Sequence, residues 1–182
     1  MSRGNGETMD RILHAGRFLH LIDRDGWEFV TRPNSSGIVI IVAVTEGKII
    51  LVEQLRRSVD CQVIGLPAGL VDTAKDPAHQ ESESEAAIRE LEEETGYTAA
   101  SVREMARGPI SPGATDEVMA IFVADGVTKK GAQQLDGDED IKVHLVDLGE
   151  LPEWLKARER EGRMIDLKLF MGLNFVRPRP TR

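Results

Sequence analysis

Residues 86–97 read Ala86-Ala-Ile-Arg-Glu-Leu-Glu-Glu-Glu-Thr-Gly-Tyr97, a segment that begins as an amphipathic helix and ends in a crowd of acids. Leu91 fits helical periodicity, and Gly96 supplies the left-handed residue that commonly follows a last turn. Four glutamates fall in the final two turns, where the helix macrodipole is already negative. Glu90 and Glu94 also form an i,i+4 pair of like charge, which costs about 0.2–0.5 kcal/mol. A cation on their shared face would offset this repulsion, so the segment predicts a metal site.

Length and composition limit the class of protein. The chain has 182 residues, enough for one domain with a sizeable core, and a net charge of −8. This acidity is unlike the basic surface of nucleic-acid binders, so we expect no nucleic-acid partner. The single cysteine, Cys61, excludes an intrachain disulfide and favours a reducing compartment. The longest apolar run, Ile38 to Val44, is too short to span a bilayer, and no signal-like segment is visible. We therefore expect a cytoplasmic protein with no membrane partner.

Apolar patterning predicts strands on both sides of a central helix that covers about residues 78–95. Two short strands flank the turn signal Asp23-Arg-Asp-Gly26. The complete set of expected strands covers residues 17–23, 27–32, 37–45, 48–55, 62–69 (ending in a tight turn), 101–107, 118–124 and 141–147, and further helices cover 151–161 and 164–175. This order implies an α/β or α+β sandwich with a mixed sheet. The break at Pro33 to Gly37 separates an N-terminal β subdomain, residues 1–36, from a main domain, residues 37–182.

The segment Arg89-Glu-Leu-Glu-Glu-Glu-Thr-Gly-Tyr97 resembles the core of the Nudix box: Arg-Glu, a large aliphatic, any residue, Glu-Glu, any residue, Gly, then an apolar residue. Every position matches, and Glu81 stands eight positions before the arginine, as the pattern requires. The pattern also places a glycine six positions before that glutamate, where this chain has a lysine. Gly69, in Leu66-Pro-Ala-Gly69, is the better candidate and implies a six-residue insertion. The resemblance implies the Nudix α/β/α sandwich with a small N-terminal antiparallel sheet.

The acids of the box are suited to binding a divalent cation. Glu90, Glu93 and Glu94 lie within about one helical turn, and their carboxylates can converge on Mg²⁺ or Mn²⁺, which prefer oxygen ligands. Such an ion would neutralise a diphosphate and lower the pKa of an attacking water. The resemblance adds the backbone carbonyl of Ala68 as a further metal ligand. Glu92 points to another face, and we expect it only to be solvated. The alternative for the whole segment is a solvated acidic face.

A second acidic segment, around Asp138-Glu-Asp140, resembles the loop that closes over the substrate in ADP-ribose pyrophosphatases. Glu139 matches the metal-facing position of that loop, so it is a candidate metal ligand and catalytic residue. The position two before it, where some members hold a catalytic glutamate, is a glycine here. The general base is therefore Glu139, Asp138, Asp136 or Glu93. Arg89 can pair with Glu93 at i+4 and hold its carboxylate in place.

Other segments indicate the subfamily and the substrate contacts. Ser111-Pro-Gly-Ala-Thr-Asp-Glu117 looks like a loop of the ADP-ribose pyrophosphatases and makes Pro112 and Gly113 candidate substrate-binding residues. Arg56 matches a family arginine that reaches the substrate, and an arginine is suited to bidentate phosphate contact. Arg32 either contacts the substrate in a similar way or lies on the surface. In relatives the N-terminal sheet is exchanged across a two-fold homodimer, so the resemblance implies a homodimer with N-terminal sheet exchange.

The resemblance implies metal-dependent hydrolysis of the pyrophosphate bond of a nucleoside diphosphate sugar. ADP-ribose is the favoured substrate and would give AMP and ribose 5-phosphate. GDP-mannose, ADP-glucose, UDP-glucose and dinucleoside polyphosphates are alternative substrates for the same fold, and the Pro112 loop disfavours the polyphosphates. A different class of function is a Nudix-like module that senses a nucleotide without cleaving it. Such modules usually lose the carboxylates of the box, which this chain retains.

Overall fold

A computed structural model of the protein describes residues 10–72, 81–135, 137 and 140–176, in which an eight-stranded mixed sheet is the largest element. The strands are β1 Arg11–Ala15, β2 His20–Arg24, β3 Trp27–Thr31, β4 Ser35–Thr45, β5 Lys48–Arg56, β6 Cys61–Gly65, β7 Ala68–Asp72, β8 Tyr97–Thr98, β9 Ser101–Pro109, β10 Val118–Asp125, β11 Thr128–Lys129, β12 Ile141–Asp147 and β13 Met164–Ile165. The helices are α1 Glu83–Thr95, α2 Leu151–Arg160 and α3 Leu167–Leu173. The predicted α/β class with a mixed sheet is confirmed.

The first three strands form a separate antiparallel sheet in the order β1-β2-β3, which confirms the small N-terminal sheet. Asp25 and Gly26 have φ angles of 54° and 83°, so the predicted Asp-Gly turn supplies the two left-handed residues of this hairpin. Strand β3 contacts the loop before β10, because Val30 N donates to Ala114 O at 2.9 Å and Asp116 N donates to Val30 O at 3.4 Å. The N-terminal sheet thus packs on the 111–117 loop of its own chain. The division of the chain at residue 36 stays a prediction.

Strand β4 is shared between two neighbours on one edge. It pairs with β5 only at Val44 and Thr45, and its first half pairs instead with β7, from Ser35 to Ile40. The carbonyl of Pro67 accepts a hydrogen bond of 2.8 Å from Ile41 N at the changeover. A single strand over 62–69 was predicted, but Leu66-Pro67 divides it into β6 and β7, and Ala68 begins a strand rather than a turn. The sheet therefore opens a cleft between β5 and β7.

Helices cover both faces of the main sheet. Alternate residues of β4 point to opposite faces, so Val39 and Ile41 pack in the core on the α1 side, whereas Ile40 and Val42 pack in the core under α2 and α3. Leu91 is the fully buried leucine of α1. The predicted α/β/α sandwich is confirmed by this arrangement. Among the described residues no helix combines the length and the apolar character needed to cross a membrane.

Helix α1 begins later than predicted. The prediction of residue 78 is wrong because Ser82 caps the helix and Glu83 is its first residue. Ser82 and Glu85 form a reciprocal capping box, in which Glu85 N donates to Ser82 Oγ at 3.2 Å and Ser82 N donates to Glu85 Oε2 at 2.9 Å. Gly96 ends the helix with a φ of 70°, as predicted. Most of the insertion between Gly69 and Glu81 lies outside the described residues.

The predicted helix over 164–175 is also wrong at its start. Met164 and Ile165 form β13, which pairs in parallel with β6. Asp166 then caps α3, because its side chain accepts a hydrogen bond of 2.9 Å from Lys168 N. An aspartate at an N-cap favours a helix that starts directly after it. The apolar pattern of this segment is therefore divided between a strand and a short helix.

A buried ionic cluster connects β5, β12 and the segment before β13. Glu53 is only 6% exposed, and its carboxylate contacts His144 Nε2 at 2.7 Å and Arg163 Nε at 3.1 Å. Burial alone would raise the pKa of Glu53, but the hydrogen bonds from His144 and Arg163 outweigh it, so the net shift is downward. The folded protein therefore favours the charged form of this carboxylate more than the unfolded chain does.

This cluster predicts an acid-sensitive contribution to stability. Because the folded-state pKa of Glu53 lies below its unfolded value, the contribution is present above about pH 4.5 and is lost as the pH falls through the folded-state pKa. We expect Glu53→Gln to lower the free energy of unfolding by about 1–3 kcal/mol at pH 7. Urea denaturation at several pH values should show this difference shrinking below pH 4. Glu153→Gln, at an exposed ion pair on α2, is the control and should change stability little. A difference that stays constant from pH 7 to pH 3 would contradict the assignment.

Candidate active site

A cavity of about 480 Å³ occupies the cleft where β5 and β7 diverge. Helix α1 contributes one wall, strands β4, β5 and β7 contribute the floor, and α3 reaches the cavity from the other face of the sheet. The residues that line it are Arg32, Ile38, Gln54, Arg56, Ala68, Gly69, Leu70, Arg89, Glu90, Glu93, Glu94, Met119, Gln134 and Lys168. The structure thus brings together most of the predicted site residues that it describes.

The absence of a side chain at Gly69 lets α1 approach β7 closely. A Cβ atom at this position would lie 1.9 Å from the Cδ atom and about as close to both carboxylate oxygens of Glu90. The Glu90 carboxylate therefore occupies the volume that any other residue at position 69 would fill. This contact supports Gly69 as the candidate for the glycine of the Nudix pattern, in spite of the insertion that follows it.

Glu94 is held against the same strand. Its side chain is buried, and Glu94 Oε2 accepts a hydrogen bond of 3.1 Å from the backbone N–H of Ala68. A buried carboxylate requires such partners because desolvation of its charge is costly. Glu90 and Glu94 therefore both touch the first two residues of β7, as expected for acids that share one face of α1.

Arg89 connects the acids of the site to each other. Its guanidinium donates to groups on three segments: Glu81 at 2.7 and 3.0 Å, Glu90 at 2.8 Å, Glu93 at 2.9 Å and the carbonyl of Leu70 at 3.0 Å. The predicted contact between Arg89 and Glu93 is present. Glu81, which matches the pattern eight positions before the arginine, accepts two of these hydrogen bonds. The hydrogen bonds that Arg89 donates to Glu81 are the largest cause of an upward shift of the pKa of Arg89, so this group stays charged.

Two lysines at the end of β11 balance the negative end of the helix. Lys129 Nζ donates to the carbonyl of Thr95 at 2.9 Å, and Lys130 Nζ lies 2.6 Å from Glu92 Oε1. A cation at a helix C-terminus interacts favourably with the macrodipole. The prediction that Glu92 is only solvated is therefore wrong, because its carboxylate forms an ion pair with Lys130.

The segment that follows is fixed to the last turn of α1. Gln133 Nε2 donates to Glu94 O at 2.6 Å and to Ile141 O at 2.8 Å, and Gln134 N donates to Glu93 O at 2.9 Å. These bonds satisfy carbonyls that a helix end leaves without intrahelical partners. The predicted catalytic and metal-binding Glu139, and the alternatives Asp136 and Asp138, lie outside the described residues, so their roles stay predictions.

The predicted substrate-binding residues divide into two groups. Arg32 and Arg56 both line the cavity, and Arg32 Nε forms an ion pair of 3.0 Å with Glu117. In the described part of the chain Arg56 forms no ion pair. Pro112 and Gly113 are exposed and do not line the cavity. Their contact with substrate stays a prediction.

Three polar residues of the cavity were missed by sequence reasoning. Gln54 lies two positions before Arg56 on β5, so strand alternation alone places both side chains on one face. No sequence pattern indicated that Gln134 would line the cavity, because it lies in a segment without regular secondary structure. Lys168 was hidden because residues 164–175 read as one continuous helix, whereas α3 starts after Asp166.

The donor chemistry of the cavity fits a hard divalent cation. No three His, Cys, Asp or Glu side chains within residues 10–72, 81–135, 137 and 140–176 form a ready metal cluster. The cavity nevertheless offers three carboxylates on its α1 side, from Glu90, Glu93 and Glu94, and Mg²⁺ and similar ions prefer such oxygen ligands. The cleft over Gly69 seats one of these carboxylates directly against the strand. Glu90 and Glu94 are the residues that would hold such an ion.

Comparisons with known proteins agree with this fold and site. Residues 33–167 match the NUDIX domain. The chain is 36% identical over 134 residues to the ADP-ribose pyrophosphatase of Bacillus subtilis. The matched residues cover 72% of this chain and 68% of that protein. It is 34% identical over 151 residues to the methanol dehydrogenase activator of Bacillus methanolicus. The matched residues cover 82% of this chain and 75% of that protein. A crystal structure of an ADP compounds hydrolase has the same fold, with a TM-score of 0.69, 20% identity and coverage of 96% and 95%.

The fold and the carboxylate cavity define a hydrolase that acts on pyrophosphate bonds. With a domain match over most of its length, the chain belongs to the Nudix family. Nudix hydrolases generally depend on a divalent metal, which agrees with the oxygen donors that line this cavity.

The close contact at Gly69 predicts that Gly69→Ala impairs catalysis more than folding. The added methyl group would displace the flexible end of Glu90 rather than backbone, so we expect pyrophosphatase kcat to fall at least about tenfold, with little change in Tm. Gly108→Ala, in β9, is the matched control because a Cβ there meets no atom within 4 Å. Steady-state kinetics and thermal unfolding of both variants test this. Equal kcat values for wild type and Gly69→Ala would contradict the role given to this contact.

Proposed function

We propose that the protein hydrolyses the pyrophosphate bond of a nucleoside diphosphate sugar, with ADP-ribose as the preferred substrate and AMP and ribose 5-phosphate as products. The observation that carries this proposal is the segregation of charge in one cavity, with the carboxylates of α1 on one wall and Arg32 and Arg56 also lining it. A diphosphate carries the negative charge that such cations bind. The relative at 36% identity is an ADP-ribose pyrophosphatase, which supports the choice of substrate.

The chain's own residues suit a metal-assisted hydrolysis. Glu90, Glu94 and the carbonyl of Ala68 would hold Mg²⁺ or Mn²⁺. When bound, such an ion neutralises the diphosphate and lowers the pKa of a water molecule. Arg56 can bind non-bridging phosphate oxygens in a bidentate manner. These local cations offset the net charge of −8, which opposes the approach of an anionic substrate.

Glu93 and Glu139 are the candidate catalytic residues for proton removal from water. Glu93 Oε2 accepts a hydrogen bond of 2.9 Å from Arg89, which orients the carboxylate and leaves Oε1 to accept a proton. The Glu93 side chain is 40% exposed, so water reaches it. Glu139, with Asp138 and Asp136 as further alternatives, rests on its resemblance to the acidic loop of the family. Glu93 has the additional support of its place in the cavity wall.

A hydrolysis panel tests the proposed substrate. ADP-ribose, ADP-glucose, GDP-mannose, UDP-glucose and a dinucleoside polyphosphate should be incubated with Mg²⁺, with Mn²⁺ and with EDTA, and the products identified by mass. We expect the highest kcat/KM for ADP-ribose and loss of turnover in EDTA. A higher kcat/KM for another nucleotide sugar would replace ADP-ribose within the same reaction. Binding of ADP-ribose without turnover under every metal condition would favour a nucleotide-sensing module instead.

The glutamates of α1 provide a matched set of variants. Glu90→Gln and Glu94→Gln remove charged ligands at the proposed metal site, and we expect each to lower kcat/KM at least about 100-fold in Mg²⁺. Glu92→Gln is the control, because Glu92 lies on the same helix but pairs with Lys130 and does not line the cavity. It should stay within about threefold of wild type. If Glu90→Gln and Glu94→Gln retain wild-type turnover, the metal assignment is wrong.

We also propose that the N-terminal sheet forms a homodimer interface. All five residues of β1 are exposed, and large apolar side chains around this sheet face solvent in the single chain, among them Ile12 at 56%, Phe18 at 63% and Trp27 at 61% exposure. Monomeric proteins rarely leave such side chains together on one surface. A second copy related by two-fold symmetry would cover them, with or without exchange of the sheet.

Phe18→Glu tests this interface because a charge would be buried at it. We expect sedimentation equilibrium to give the mass of two chains for wild type and of one chain for Phe18→Glu. Leu145→Glu, at a leucine of β12 that is 44% exposed, is the control and should remain a dimer. A monomeric wild type at micromolar concentration would refute the proposed dimer.

A further inference from the structure

Lys168 lines the cavity from the side of the sheet that is opposite to the catalytic helix. Helix α3 packs with α2 on one face of the sheet, and its Leu169 and Leu173 are fully buried in the core there. Helix α1 packs in the core on the other face. Lys168 nevertheless lines the same cavity as Glu90, since the sheet is open between β5 and β7. Its ammonium group therefore approaches any occupant of the cavity from a direction that α1 does not cover.

The position of Lys168 is fixed by its surroundings. Asp166 accepts a hydrogen bond from Lys168 N at 2.9 Å and forms an ion pair with Lys168 Nζ through its other oxygen. Asp166 is itself held in place. Its N–H donates to Ile64 O at 2.8 Å, and its Cβ lies against Gly65, only 3.2 Å from the position that a Cβ of residue 65 would take. The lysine side chain is 27% exposed, so it is neither buried in the core nor spread in solvent.

The charges around the cavity leave Lys168 able to bind an anion. Arg89 is occupied by Glu81, Glu90 and Glu93. An ammonium group has three donors and no acceptor, so one contact with Asp166 leaves two N–H groups for other acceptors. Arg56, which lines the same cavity, has no ion pair among the described residues. Within the described residues, Arg56 and the two remaining N–H groups of Lys168 are therefore donors that the cavity can offer to an anion.

We propose that Lys168 is a substrate-binding residue that donates hydrogen bonds to a non-bridging phosphate oxygen of the diphosphate, on the side away from the carboxylates of α1. This inference rests on the proposed function for the identity of the ligand. We expect Lys168 to contact the diphosphate equally before and during hydrolysis, because α3 packs on the face of the sheet opposite to α1, which carries the glutamates. Uniform binding of this kind lowers KM and leaves kcat nearly unchanged.

Direct binding measurements test this role without any need for turnover. The probe is α,β-methylene ADP, whose carbon bridge resists cleavage, titrated into the full chain with Mg²⁺ in a calorimeter. We expect Lys168→Met to raise the Kd about tenfold, the loss of one hydrogen bond to a charged group. Lys168→Arg should recover most of the affinity, since it restores the charge. Lys156→Met removes an exposed lysine of α2 that pairs with Glu153, and it should bind as wild type does.

Kinetics on the substrate that the panel selects provide a second readout. Lys168→Met should raise KM about tenfold while kcat stays within about threefold of wild type. A structural role alone would lower kcat or Tm and would not be repaired by arginine. Equal Kd values for wild type and Lys168→Met, or no binding of the probe by wild type, would overturn the proposal. Absence of turnover with all nucleotide sugars, combined with normal probe binding that depends on Lys168, would refute the proposed function and leave this inference standing.

Discussion

The contacts of Arg89 are the interaction on which the rest of the site depends. A guanidinium group has five N–H donors in one rigid plane, and here they join helix α1, strand β7 and the segment before the helix. Three nearby carboxylates without this cation would repel one another and would each lose solvation. A lysine could not replace it, because a single ammonium group cannot span the same set of acceptors. The crowding of acids is thus stabilised by the protein itself before any metal binds.

Strand β4 decides where that charged helix can act. Its partner on one edge changes from β5 to β7 at Ile41, and the resulting gap exposes both faces of the sheet to one cavity. Elements that pack in two separate cores therefore meet at a single site. Acidic groups arrive from α1 together with Arg89, and the other basic groups arrive from Arg32 after β3, from β5 and from α3. The separation of charge follows from the topology of the sheet rather than from any one loop.

Much of this arrangement could be predicted from local patterns. The run of glutamates before Gly96 predicted helix α1 and the acids that line the cavity, and Arg56 was predicted from the resemblance to the family. The parts that could not be predicted depend on backbone contacts between distant segments. Ala68 reads as part of a turn because it follows a proline, yet pairing with β4 makes it a strand residue. Lys168 reads as one helical position among many, and only the cap formed by Asp166 places it at the cavity. The early start predicted for α1 overlooked the capping box that begins with Ser82.

Gln133 joins two elements that are far apart along the chain. Its side-chain amide has two N–H groups, which donate to Glu94 O at 2.6 Å and to Ile141 O at 2.8 Å. One side chain therefore holds the last turn of α1 to the first residue of β12. The backbone that carries Glu94 is thus fixed by a residue that does not itself line the cavity. A substitution at position 133 would disturb an acid of the site without changing any residue of the cavity wall.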